Sequence, residues 1–210
     1  SFSSIFYTSW SESAALVIND PDRDEFFSKV ANMMMKAFSA LGILIMCCTP
    51  IVFPLLVNDA YNEALLYLPV LVLGTIFNTV VSFYSAIYIA KKLTRQVMNT
   101  SIAAAIINLV VNLALIWLIG IWAAAISTAV AYAALAVYRH YDMKKYVTIT
   151  YEKNLFVALI LIFAVASGLY YANTLWTSVT GLILAAVAAY WLNRHEIGQM
   201  KSMIVGRLRK

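Results

Sequence analysis

Charged residues are scarce: Asp, Glu, Lys and Arg make up 12% of the 210 residues, about half the share of a soluble domain. With 63% hydrophobic residues and a mean hydropathy of +0.81, too little polar surface remains to cover a globule in water. A soluble fold is excluded, and lipid is the solvent this chain needs. Cysteine is limited to Cys47 and Cys48; neighbours on a helix point about 100° apart and cannot bridge each other. With no CxxC, no Cys/His pairing and no HExxH, the chain offers no metal site. No GxxxxGK[ST] is present, so no P-loop is expected. No nucleophile–base–orienter set is visible, so neither a catalytic residue nor a cofactor is expected. The opening segment lacks a basic n-region and a small-residue cleavage site, which argues against a signal peptide.

What is present is a series of long uncharged runs. Residues 96–138 hold 43 consecutive positions without Asp, Glu, Lys or Arg. As one helix they would measure about 65 Å, twice a hydrocarbon core of about 30 Å. The run therefore predicts a hairpin of two spans broken at Gly120. Residues 154–193 repeat the pattern over 40 positions, with Tyr171-Ala172-Asn173-Thr174 as the turn. Ala37–Val57 and Ala64–Ala90 add two more spans. Phe2–Ile18 carries Trp10, Tyr7 and Glu12 and reads as the end of a further span; an opening Ser in place of Met fits a fragment or a processed chain. The expected fold is an all-α membrane protein with six complete transmembrane helices plus the end of a preceding one.

Orientation follows from Lys and Arg, which collect on the cytoplasmic side. All 15 basic residues fall in alternate loops on one side of the six crossings: Arg23 to Lys36; Lys91, Lys92 and Arg95; Arg139, Lys144, Lys145 and Lys153; and Arg194 to Lys210. The other side carries only Asp59 and Glu63. Basic loops and C-terminus are thus cytoplasmic, and Lys91, Lys92, Arg95, Arg139, Lys144 and Lys145 are read as basic anchors at that interface. His140 and His195 beside Arg139 and Arg194 are read as interfacial packing. The net charge of +5 is accounted for by topology, so no nucleic acid partner is expected.

Polar side chains within the spans each need a reason, because lipid offers them no partner. Glu12 has two readings: a carboxylate facing a transport cavity, or an interfacial residue near the Asp20–Glu25 loop. Asn108 and Asn112 share a helix face with Ser101 and Ala105. Asn78 lies mid-span with Thr75, Thr79 and Ser82 around it. These Asn residues either hydrogen-bond between helices, for about 0.6–2 kcal/mol each, or line a hydrophilic cavity. Pro50, Pro54 and Pro69 remove backbone donors and permit bending. The Ala123–Ala133 run offers small residues for close helix contact. Residues 193–210 place Ile197, Met200, Ile204 and Leu208 on one face with basic residues around them, as an amphipathic helix on the inner leaflet would.

Several of these segments also carry a resemblance. Ser9-Trp10-Ser11-Glu12-Ser13-Ala14, the acidic loop Asp20–Glu25 and Phe26-Phe27-Ser28-Lys29-Val30 come first. Tyr61-Asn62-Glu63-Ala64 running into Tyr67-Leu68-Pro69-Val70-Leu71 follows, then Tyr88-Ile89-Ala90-Lys91-Lys92-Leu93-Thr94. Asn108 to Leu115, Gly120-Ile121, Ala124-Ala125, Tyr138-Arg139 and Lys144-Lys145-Tyr146 complete the series. Their order resembles the C-terminal half of the polysaccharide-repeat-unit flippases, the O-antigen and exopolysaccharide exporters of the multidrug/oligosaccharidyl-lipid/polysaccharide superfamily. The resemblance covers residues 1 to about 150; beyond that only hydropathy agrees. Where the family has a Pro and a Lys before Gly120 and a second Gly at position 123, this chain has Trp117, Leu118 and Ala123.

The resemblance implies one lobe of a MATE-like two-lobe transporter in a bacterial cytoplasmic membrane. It divides the chain into the end of a truncated helix (1–18), a core of four spans (19–150), an added hairpin (151–192) and a basic tail (193–210). It implies transfer of an undecaprenyl-pyrophosphate-linked oligosaccharide between leaflets by alternating access. The implied partners are membrane lipid, a preceding N-terminal lobe, and polymerase and glycosyltransferases of the same route. Such proteins hold the pyrophosphate on cationic residues in the cavity, and no mid-membrane cation is evident here from sequence. Glu12, Asn78, Asn108 and Asn112 are the transport-cavity candidates. The alternatives are a drug/cation antiporter of the same superfamily, and a non-transporting scaffold or glycosyltransferase subunit.

The topology is open to cysteine labelling in a background without Cys47 and Cys48. Cysteines at 23, 92, 144 and 201 should react only after the membrane is permeabilised, and one at 60 should react in intact cells. Labelling of position 92 from outside would invert the assignment.

Overall fold

The computed structural model describes the backbone of residues 2–172 and 174–208, with side chains except at 2–6, 175, 195–197 and 199–208. Among them are seven α-helices and no strand: α1 Phe2–Val17, α2 Arg23–Leu56, α3 Ala64–Ala90, α4 Thr94–Ile119, α5 Trp122–Met143, α6 Lys153–Tyr171 and α7 Leu175–Leu208. The six from α2 onward are long and apolar enough to cross a membrane, which marks a multi-pass membrane protein. The helical backbone of α7 runs unbroken to Leu208, so residues 193–208 continue a span instead of starting a separate helix. The apolar face expected of Ile197, Met200, Ile204 and Leu208 lies outside the described side chains, as does His195.

Each turn has a local cause. The α4–α5 break falls at Gly120, with φ 55° and ψ −132°, a backbone state that residues with a Cβ rarely adopt. Nothing lies within 4 Å of where its Cβ would be, so the requirement is conformational and not one of space. At the α3–α4 turn Lys92 takes φ 61°. There Lys92 N–H bonds Ile89 O and Leu93 N–H bonds Tyr88 O, each at 2.8 Å, closing the helix with a left-handed residue where glycine is usual. At the start of α7, Thr177 Oγ1 accepts the Thr174 N–H at 3.0 Å, a donor that the helix start leaves unpaired, and donates to Thr174 O at 2.9 Å.

The helices group into two units that cut across the sequence division at 150. The first comprises Ser1–Ala31 and Tyr67–Tyr151; the second comprises Asn32–Leu66 and Glu152–Lys210. The first unit is built on an aromatic cluster. Trp10 stacks on Phe83 at 4.9 Å between centroids and meets Phe27 edge-on at 5.6 Å. Its indole N–H donates to Phe83 O at 3.2 Å, so the polar edge of the buried ring is satisfied. Ala123, Ala125 and Ala129 are buried along α5. A Cβ on Gly74 would stand 3.5 Å from the Ala129 Cα, so α3 and α5 approach through small residues. Helix α4 buries none of its apolar window; in water that face would be a liability, and in lipid it needs no cover.

In the second unit the Leu65 carbonyl needs a substitute donor. Pro69 has no N–H, so the Leu65 carbonyl four residues back loses its helical donor. Tyr170 supplies one: its hydroxyl donates to Leu65 O at 2.7 Å, and Tyr171 donates to Leu66 O at 3.0 Å. In a low-dielectric interior an unpaired carbonyl costs about 1–3 kcal/mol, so the pairing matters. Tyr170→Phe should lower stability by about that much, measured as a lower midpoint of denaturant-induced unfolding in micelles. Adding Pro69→Ala, which returns the backbone N–H, should recover most of the loss. Additive effects of the two changes would show that the tyrosine is not serving that carbonyl.

Candidate functional site

Three helices of the first unit each present a stripe of polar and small residues at helical spacing. On α3 it is Asn78, Ser82 and Ser85; on α4, Ser101, Ala104, Ala105 and Asn108; on α5, Thr128, Tyr132 and Arg139. Steps of three, four and seven keep each set on one face. Together with Tyr7 from α1 these stripes line a cavity of about 650 Å³.

Arg139 is the unusual member. From sequence it counts as an interfacial anchor near the end of a span, and the structure corrects this: the residue is fully buried, at 0% exposure. Its Nη1 donates to Val81 O at 3.0 Å and to Ser85 Oγ. Its Nε and Nη2 donate to Thr100 Oγ1 at 3.2 and 2.9 Å. Nη2 further reaches Val97 O at 3.2 Å and Ser101 Oγ at 3.1 Å. The Tyr88 ring lies 5.9 Å from the guanidinium carbon, within range of a cation–π contact. All of the guanidinium's donors are thereby engaged, and none of its acceptors among the described residues is a carboxylate.

That arrangement leaves a positive charge held only by dipoles. A buried ion without a counter-ion is costly, so it needs strong and numerous hydrogen bonds. The hydroxyls serving it are doubly used: Ser85 Oγ donates to Val81 O at 2.8 Å and Thr100 Oγ1 donates to Gln96 O at 2.7 Å. Each hydroxyl can therefore release the guanidinium without leaving its own hydrogen unpaired. Chemically, the site can exchange neutral oxygens for the oxygens of an anion.

The cavity candidates separate. Asn78 and Asn108 line the cavity, and Asn108 Nδ2 donates to Thr128 Oγ1 at 3.3 Å. Asn112, one turn beyond Asn108, is half-buried and outside the lining. Glu12 is exposed on α1 and likewise outside it. Thr75 and Thr79 turn back onto their own helix, bonding Val72 O at 2.7 Å and Thr75 O at 3.1 Å, so of Asn78's polar neighbours only Ser82 joins the site. The cavity nevertheless holds a cation, because Arg139 lines it near the end of α5. One signal was available: Thr128 and Arg139 are eleven apart, three helical turns, on the same face of α5.

The remaining basic residues stay near the surface. Lys92, Arg95, Lys144 and Lys145 are exposed and Lys91 is half-exposed. The Lys144 ammonium lies 4.9 Å from the centre of the Tyr141 ring. Asp142 accepts from Lys145 at 2.7 Å and from the Tyr88 hydroxyl at 2.6 Å; the Lys145 ammonium is held above its ordinary pKa by that hydrogen bond. Below the cavity stripe, His140 Nδ1 and the Tyr151 hydroxyl meet the Tyr84 hydroxyl at 2.8 and 2.9 Å. Burial pushes the Tyr151 phenol up to about 12, so it keeps its proton and remains able to donate. Among the described residues no group of His, Cys, Asp and Glu could hold a metal ion.

No family model matches the chain, and no curated protein or solved structure matches it.

Proposed function

We propose that the first unit forms part of a flippase that carries a lipid-linked oligosaccharide, with a prenyl pyrophosphate as its anionic linker, across a bacterial cytoplasmic membrane. The observation that carries this reading is the charge of Arg139, with no carboxylate among its partners in the described residues, in a cavity whose other polar lining is amides and hydroxyls. A cation fixed in the cavity wall attracts a phosphate at 4 Å by roughly 4 kcal/mol at an effective dielectric of 20. The guanidinium fork also matches two phosphate oxygens at once. Asn78, Asn108 and the serines offer donors and acceptors suited to sugar hydroxyls. The resemblance noted above points the same way, and with it the reading includes a second lobe as partner, around which the cavity would rock between two faces.

A drug/cation antiporter is the weaker reading, since Arg139 repels organic cations from the cavity. A scaffold or glycosyltransferase subunit gives the buried charge no task beyond packing.

The test is lipid binding by the chain in nanodiscs, read by native mass spectrometry. Undecaprenyl pyrophosphate should be retained at least about tenfold over undecaprenol, as one charge-assisted contact allows. Arg139→Met should erase that preference, and Arg139→Lys, which keeps the charge but not the fork, should retain part of it. Because Arg139 also joins three helices, each variant needs an unfolding midpoint beside its binding value. Equal retention of the two lipids by the unaltered chain would sink the proposal.

A further inference from the structure

Between α5 and α6 the chain runs extended, and its residues alternate. Val147 and Ile149 are buried, at 2% and 6% exposure, while Thr148 and Thr150 face outward. The outward backbone is bound to the first turns of α2: Thr148 N–H donates to Asp24 Oδ2 at 3.1 Å and Thr150 N–H to Ser28 Oγ at 2.9 Å. Arg23 Nη2 reaches Tyr146 O at 3.3 Å where the segment begins. The register has a simple geometric origin. Four residues of α-helix advance about 6 Å and two extended residues about 6.6 Å, so side chains one turn apart on α2 meet every second amide of the strap. The next rung, Glu152 N–H to Asn32 Oδ1 at 3.0 Å, repeats the spacing within the second unit.

The inward edge ends on Tyr151, whose hydroxyl meets Tyr84 on α3, which in turn meets His140 on α5. Tyr84 and His140 are the chain neighbours of the cavity-lining Ser85 and Arg139. One short segment thus ties the start of α2 to α3 and α5 at the end of the cavity where Arg139 lies. Its ties are of a releasable kind. The outer rungs join half-buried side chains of α2 to amides of the exposed Thr148 and Thr150, and water can replace them without unwinding α2. The inner chain of two hydroxyls and an imidazole can reverse its donors without moving heavy atoms.

We propose that residues 147–151 form a clasp that holds this end of the cavity closed, and that its release from Asp24, Ser28 and Tyr84 opens the cavity. The proposal deepens the transport reading, on which its meaning for transport rests. Its test uses no substrate, so the two fail separately.

The probe is the maleimide reactivity of a cysteine at the cavity position Ser82, in the full chain with Cys47 and Cys48 replaced by serine, in nanodiscs. Ser28→Cys with Thr150→Cys allows the clasp to be locked by oxidation and freed by reduction in one and the same protein, so misfolding cannot mimic the result. Cysteine 82 should react at least about fivefold more slowly in the oxidised form, as expected if the open state becomes inaccessible. Asp24→Ala with Ser28→Ala should speed its reaction by a similar factor. Hydrogen exchange gives an independent measure: the Thr148 amide should exchange about tenfold faster in Asp24→Ala and stay protected in Asp24→Asn, which keeps an acceptor oxygen. Equal labelling of cysteine 82 in oxidised and reduced forms would overturn the gating role, and exchange at free-peptide rates in the unaltered chain would overturn the clasp itself.

Discussion

A buried guanidinium with no carboxylate partner among the described residues organises the first unit. Arg139 gathers oxygens from α3 and α4: two main-chain carbonyls and three hydroxyls, supplied by Val81, Val97, Ser85, Thr100 and Ser101. Remove any helix of the three and the charge loses acceptors it cannot replace from lipid. The three helices are therefore committed to one arrangement by an electrostatic requirement as much as by apolar packing, which is weak as a driving force where the solvent is itself apolar. The cavity is a by-product of that commitment, since the side that delivers hydroxyls to Arg139 also carries Asn78 and Asn108.

The same scarcity of partners shapes the rest of the chain. Tyr170 fills in for the donor that Pro69 lacks. Trp10 finds the Phe83 carbonyl while its ring stacks in the aromatic cluster. Many serines and threonines return their hydroxyls to carbonyls three or four residues back on their own helix, Thr49 to Ile45 at 2.7 Å for example. These pairings make polar residues tolerable in lipid without making them functional. The distinction between such residues and the cavity set is whether the group still offers something to a visitor. Thr75 and Thr79 lie outside the lining of this cavity; Arg139 offers a charge held by replaceable ligands.

The strap from 147 to 151 shows how a segment with no regular structure can be ordered by its surroundings. Its alternation is that of a strand, yet no second strand accepts it, and the role of the ladder falls to Asp24 and Ser28 on a helix. Such a contact is short, polar and close to water. It is the kind of joint that a moving bundle can break and remake, whereas the buried aromatic cluster around Trp10 is not.

Much of the secondary structure was legible before any coordinates. Uncharged runs longer than a bilayer is thick required hairpins, and Gly120 and Tyr171–Thr174 broke them because a reversal needs either a residue free of Cβ or exposed polar caps. The six membrane-length helices, the alanine face of α5 and the shared face of Ser101 and Asn108 followed from period and composition, which are properties of the local chain. What local pattern could not decide was the fate of groups whose partners are distant in sequence. Arg139 sits beside His140 and close to Lys144 near the end of a span, and its place on the Thr128 face does not by itself separate a snorkelling arginine from one turned inward. Its inward turn depends on oxygens 38 to 58 residues away. The grouping of Asn32–Leu66 with the last two helices, the exclusion of Asn112 from the cavity and the register of the strap on α2 are of the same kind. Each is settled by which helix packs against which, and in lipid that choice rests on a few satisfied polar groups that only the assembled bundle brings together.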